Sequence, residues 1–82
     1  MIIKMKVLLQ NKNNIDRKIW VTLPTTSEEI EEAIDDISIY PDDEYIICHY
    51  KIEKYFNKYI AADDDVFELN TEIQQFNEKL NA

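Results

Sequence analysis

Eighty-two residues, 45% hydrophobic and 11% aromatic, with a net charge of −8 and no glycine, make one domain spanning 1–82 with a single modest core. That composition excludes a disordered acidic tail, and no apolar run approaches the ~20 residues of a membrane span. The lack of glycine excludes P-loop and dinucleotide-binding phosphate cradles, whose turns need backbone only glycine allows, and leaves asparagine for any left-handed turn position.

In chain order, Ile3, Met5, Val7 and Leu9 alternate with Lys4, Lys6 and Gln10, the period of a half-buried strand. The lysines of this segment flank apolar runs of three residues at most, too short for a signal-peptide core. A four-residue polar turn, Asn11 to Asn14, leads to a second alternating run. There Ile15, Arg17, Ile19, Val21 and Leu23 share one face, opposite Asp16, Lys18, Trp20 and Thr22. Trp20 therefore stands among charged side chains, either as cover for a satellite cluster or as a binding anchor. Pro24 ends the strand.

Thr26 with Glu29 three residues on is a capping box. Ile30, Ala33, Ile34 and Ile37 then follow the spacing of a helix with one narrow apolar stripe over 27–37. After a turn through Pro41, the run Tyr45 to Tyr50 is nearly all apolar and predicts a central strand covered on both faces. Ile52, Tyr55, Phe56, Tyr59 and Ile60 have helical spacing and predict a short helix. Asp63, Asp64 and Asp65 cap a last helix with apolar positions Val66, Leu69, Ile73, Phe76 and Leu80. The expected fold is α+β: a three-stranded antiparallel sheet in ββαβ order, with one acidic helix and one or two C-terminal helices.

Chemistry is sparse. Cys48, the single cysteine, excludes an intrachain disulfide framework and fits a reducing cytosol. Cys48 and His49 are the only candidate nucleophile–base pair, but neighbours on a regular strand point to opposite faces, so Cys48 reads as a buried core residue and His49 as a strand residue. Asp63 to Asp65 could touch a divalent cation, yet the calcium-loop spacing and its glycine are missing. The expectation is no enzyme, no cofactor and no metal.

Charge is the informative feature. The first 27 residues hold five basic residues and one acid; from residue 28 onward sixteen acids face four lysines. Between 28 and 44 lie nine carboxylates and no basic residue: Glu28, Glu29, Glu31, Glu32, Asp35, Asp36, Asp42, Asp43 and Glu44. Such a field repels nucleic acid and looks for a basic surface. Six of the nine fall within one helix, about one charge per 2 Å of axis, close to the ~1.7 Å per charge of duplex DNA. Asp42, Asp43, Glu44, Asp63, Asp64 and Asp65 could continue the stripe as phosphate mimics. The plainer reading is a solvated helix face.

Trp20-Val21-Thr22-Leu23-Pro24, Thr26-Ser27-Glu28-Glu29-Ile30 with Ile34, Glu44-Tyr45-Ile46-Ile47 with Tyr50, and Phe67-Glu68-Leu69-Asn70 resemble the N-terminal part of the ArdA-type antirestriction proteins. The resemblance covers residues 19 to 80. It departs at His49, where the family usually has Asp, and at Lys51, which replaces an acid. Members of that family are about twice as long, with a C-terminal dimerising domain, and are acidic mimics of B-form DNA made by plasmids and conjugative transposons. The resemblance implies a non-catalytic inhibitor of the basic DNA-binding surface of a type I restriction–modification enzyme, acting in the bacterial cytoplasm from a phage- or plasmid-borne gene. Two alternatives stand beside it. One is an anti-CRISPR protein acting on a Cas effector, whose nucleic-acid channel is also basic. The other is a small acidic protein–protein interaction module without mimicry, anchored by Trp20 and the tyrosines Tyr40, Tyr45, Tyr50, Tyr55 and Tyr59.

Overall fold

Alternation in the first segment requires every second side chain to leave solvent. In the computed structural model, which describes residues 2–52, 56 and 58–81, Ile3, Met5, Val7 and Leu9 are all 0% exposed. Strand β1 (Met5–Asn11) lies between β2 (Asn14–Leu23) and β3 (Tyr45–Ile52) in an antiparallel sheet of order β2-β1-β3. Helices α1 (Ser27–Ile37) and α2 (Val66–Leu80) complete the α+β fold. Their buried residues Ile30, Ala33, Ile37, Val66, Leu69 and Ile73 join the β1 side chains, Val21, Leu23 and Ile47 in one core. No helix among the described residues is long and apolar enough to cross a membrane.

Burial of one sheet face leaves the other open. Across it Thr22, Lys6 and Lys51 form one row, and Trp20, Leu8 and His49 the next. The Trp20 and His49 rings meet edge to face at 5.8 Å, and the Lys51 ammonium lies 5.4 Å from the centre of the indole. Lysines thus occupy the open face, and the acidic helix covers the other.

Several expectations are corrected. The third strand is an edge strand, not a central one. Of its apolar residues Ile47 is buried, while Tyr45, Ile46, Tyr50 and Ile52 are half-buried. Part of that apolarity is covered by chain crossing in front of α2, where the Ile47 N–H donates to the Ala62 carbonyl (2.9 Å). The hairpin closes through Lys12 and Asn13 alone, and no described residue has a positive φ, so asparagine is not needed for a left-handed turn. The short helix expected around 52–60 is not seen where the chain is described: Ile52 ends β3, Phe56 is a bend and residues 58–60 are irregular. The rest of that segment, Tyr55 included, lies outside the described residues. Ile15, expected on the inner face of β2, is 67% exposed, and Ile34 is only half-buried.

Two asparagines do work that apolar spacing does not predict. Asn77 accepts from the Ile3 N–H (2.7 Å) and donates to the Ile3 carbonyl (3.0 Å). Two helical turns earlier, Asn70 makes the same pair of bonds with Thr25, both 2.8 Å. Buried backbone groups must be paired, and an amide side chain offers one donor and one acceptor to match them. These clamps fasten α2 to the start of β1 and to the entry of α1. Sequence reasoning took the α2 stripe as apolar to Phe76 and Leu80. Phe76 is half-buried and Leu80 is 44% exposed, so the stripe turns toward Asn70 and Asn77.

Candidate functional site

The acidic helix is built as its sequence dictates. The Thr26 hydroxyl accepts from the Glu29 N–H (3.2 Å), capping the first turn, while the Glu29 carboxylate takes the Thr25 hydroxyl instead of closing the box on Thr26. Glu28, Glu29, Glu31, Glu32, Asp35 and Asp36 are all exposed, and none forms an ion pair with a described residue. The local physics is adverse. Carboxylates three and four apart repel one another by roughly 0.2–0.5 kcal/mol per pair. Asp35 and Asp36 also sit at the negative end of the helix dipole, and the last turn has no basic residue. Arg17 supplies the missing cation from β2, donating to the carbonyls of Asp36 (3.1 Å) and Ser38 (3.4 Å).

Of the other predicted acids all but Asp42 line one concavity of about 490 Å³, where Asp43 and Glu44 meet Asp63, Asp64 and Asp65 beside Ile34 and Tyr45. Several already have structural partners there. Glu44 pairs with Lys12 at 3.0 Å, a surface ion pair that contributes little. The Asp64 carboxylate accepts from the Ala61 N–H (2.9 Å). Asp65 caps α2 by accepting from the Phe67 N–H (2.8 Å). The first helical N–H, that of Val66, donates to the Tyr45 hydroxyl (3.1 Å). Burial pushes the Tyr45 phenol above its ordinary pKa and the Asp65 charge adds to this, with the Val66 bond opposing both. Asp42 and Asp63 are exposed.

Asp43 is the pin of the turn between α1 and β3. One carboxylate oxygen accepts from the N–H groups of Ile39 (2.8 Å) and Tyr40 (3.0 Å) and from the Asn11 side chain (2.9 Å). Asn11, 1% exposed, also donates to the Ile37 carbonyl (2.9 Å), so β1, the end of α1 and this turn are tied at one point. The backbone bonds from Ile39 and Tyr40 hold the Asp43 carboxyl below its ordinary range. A depressed folded pKa means the contribution is full above the unfolded value and is lost as pH falls through the folded one. Asp43→Asn should therefore flatten the fall in stability as pH drops through and below the ordinary carboxylate range, which chemical denaturation at stepped pH measures. An unchanged slope would show that Asp43 is not linked to folding.

Cys48 is exposed, not buried. The register of β3 slips between Leu8 and Leu9 of β1, so that His49 faces Leu8 and Ile47 faces Leu9, with Cys48 as the extra residue of a bulge. Strict alternation thus fails at that point, and Cys48 and His49 are both solvent-facing, with the imidazole turned to Trp20. Among the described residues no three of His, Cys, Asp and Glu converge as a metal-ligand set. The aromatic anchors are dispersed in their burial. Tyr40 and Tyr59 are 65% and 81% exposed, whereas Tyr45 and Tyr50 pack on the core.

Comparison with known proteins finds no matching family model, no matching curated protein and no matching solved structure. The surface carries an acidic helix, a neighbouring acidic concavity, and an open face bearing lysines on the other side of the sheet. The concavity was within reach of sequence reasoning as two separate acid runs. What brings them together is the crossing of the chain in front of α2, which has no local signature.

Proposed function

We propose that this protein is a non-catalytic inhibitor that occupies the nucleic-acid groove of a bacterial defence enzyme by presenting carboxylates in place of phosphates. The observation that carries this reading is the α1 surface, with six exposed carboxylates left without ionic partners among the described residues, although their mutual repulsion and two of their positions work against the helix. A fold with no use for that charge would gain stability by losing it. Dimensions add support. Eleven helical residues extend roughly 16 Å, under half a turn of duplex DNA at ~34 Å, so α1 alone is short as a mimic. The molecule extends 42 Å along its longest axis, and Asp42 and Asp63 are further exposed carboxylates. The resemblance of short residue strings to antirestriction proteins favours a type I restriction–modification enzyme as the target, met in the bacterial cytoplasm.

The test is competition. With a purified type I restriction–modification complex and labelled duplex, increasing amounts of this protein should displace the DNA, and the displacement should weaken steeply as salt rises. Displacement from a Cas effector alone would move the target while keeping the mechanism. Simultaneous binding of protein and duplex to the enzyme would sink mimicry and favour the interaction module.

A further inference from the structure

The two edges of the sheet are not alike. The edge of β3 is met by the backbone at Ala62, whereas β2 has no backbone partner other than β1 among the described residues. Natural proteins guard such edges with charges, prolines or bulges. Over residues 19–22 β2 has none: Ile19, Trp20, Val21 and Thr22 are all good strand formers, with Arg17 and Lys18 before them and Pro24 after. These four consecutive residues line a groove of about 380 Å³ with Glu29, Glu32, Ala33 and Asp36 of α1. Alternate strand side chains point to opposite faces, so a groove touched by four in a row runs along the strand's edge. Its far wall is a carboxylate stripe at helical spacing. Arg17, bonded to the end of α1, bounds one end.

We infer that this groove takes an extended basic peptide segment that adds a fourth strand to β2. Main-chain hydrogen bonds to the edge would supply the register. Every second side chain of the guest would face Glu29, Glu32 and Asp36, which selects Lys or Arg at alternate positions, and the others would lie beside Trp20 on the open face. The inference does not rest on phosphate mimicry, because it needs only a peptide and no enzyme.

The probe is a synthetic hexapeptide alternating lysine with valine, titrated into the 82-residue chain labelled for NMR. The expected result is shift changes centred on residues 19–22, with slowed hydrogen exchange of alternate amides there. Methylating one alternate set of peptide amides should abolish binding, and methylating the other set should not. The variant Glu29→Gln, Glu32→Gln, Asp36→Asn should bind about tenfold more weakly, the size expected of three exposed charge pairs, while Glu68→Gln, on α2 and outside the lining of the groove, should bind as wild type. Equal binding of both methylated peptides, or shift changes away from 19–22, would overturn strand addition. Changes at 19–22 that grow with protein concentration in the absence of peptide would also overturn it, assigning the edge to a second copy of the chain.

Discussion

Replacing Asn77 with leucine is expected to remove a large part of the stability of this domain, although leucine is larger, apolar and a better helix former. The amide holds both backbone groups of Ile3, at 2.7 and 3.0 Å, in a place where Ile3 itself is 0% exposed. Leucine would leave a buried N–H and a buried carbonyl unpaired, each costing roughly 1–3 kcal/mol. A domain of this size has about 4–12 kcal/mol in total. The loss should appear as a fall of the urea midpoint with little change in slope. Asn70→Leu should behave alike through Thr25, with one difference: Thr25 leads into α1, so that variant should also fray the first turn of the acidic helix. Asn77→Asp separates the two halves of the clamp, since a carboxylate still accepts from the Ile3 N–H but offers nothing to the Ile3 carbonyl. Wild-type stability in Asn77→Leu would mean that apolar contacts alone dock α2.

These asparagines mark where the sequence was legible and where it was not. Strand β1, the β2 hairpin and α1 could be read because each is governed by a local period or a cap. Met5, Val7 and Leu9 declare a face by themselves, and Thr26 with Glu29 declares a helix start. Asn70 and Asn77 lie on the buried side of α2, seven residues apart. That spacing repeats one face of a helix, but their partners are 45 and 74 residues away. A polar residue on an apolar stripe signals a buried bond without naming its partner. The place of the third strand within the sheet was hidden for a related reason. Ile46 and Ile47 look like a central strand, yet only the pairing partner decides that, and β3 returned to the outside of β1. The bulge at Cys48 breaks the alternation on which the placement of Cys48 and His49 rested. For the site, the α1 carboxylates were read correctly as one exposed surface because a helix displays its own periodicity. The cap on α2 was legible too, since an acid run directly before an apolar helical stripe marks a helix start and Asp65 fills that place; the engagement of Asp43 and Asp64 in turns depends on loop geometry that no period encodes.

Neutralising Glu28, Glu31, Glu32, Asp35 and Asp36 together, as Gln and Asn, is the change with the largest expected effect on function, and its two consequences should run in opposite directions. Folding should become easier. The substitutions remove the close like-charge pairs along α1 and both carboxylates at its negative end, and each new side chain stays on the exposed surface. Loss of Glu28 from the first turn works the other way, but Glu29 remains there to meet the positive end of the helix. The melting temperature should therefore rise or hold. Binding should collapse. Single neutralisations should each cost little, because an exposed pair contributes ~0–1 kcal/mol, whereas five acting together would weaken the complex by about a thousandfold if each reached the upper part of that range. The salt dependence of the residual binding should flatten in proportion, which a merely misfolded variant would not produce. Two measurements on one protein, thermal unfolding and DNA competition at several salt concentrations, decide the matter. A variant that is stabler and no longer displaces duplex means the helix trades stability for charge at its partner's surface. If it is stabler and inhibits as well as wild type, the acidic face is only solvated, and the aromatic module anchored at Trp20 becomes the better account.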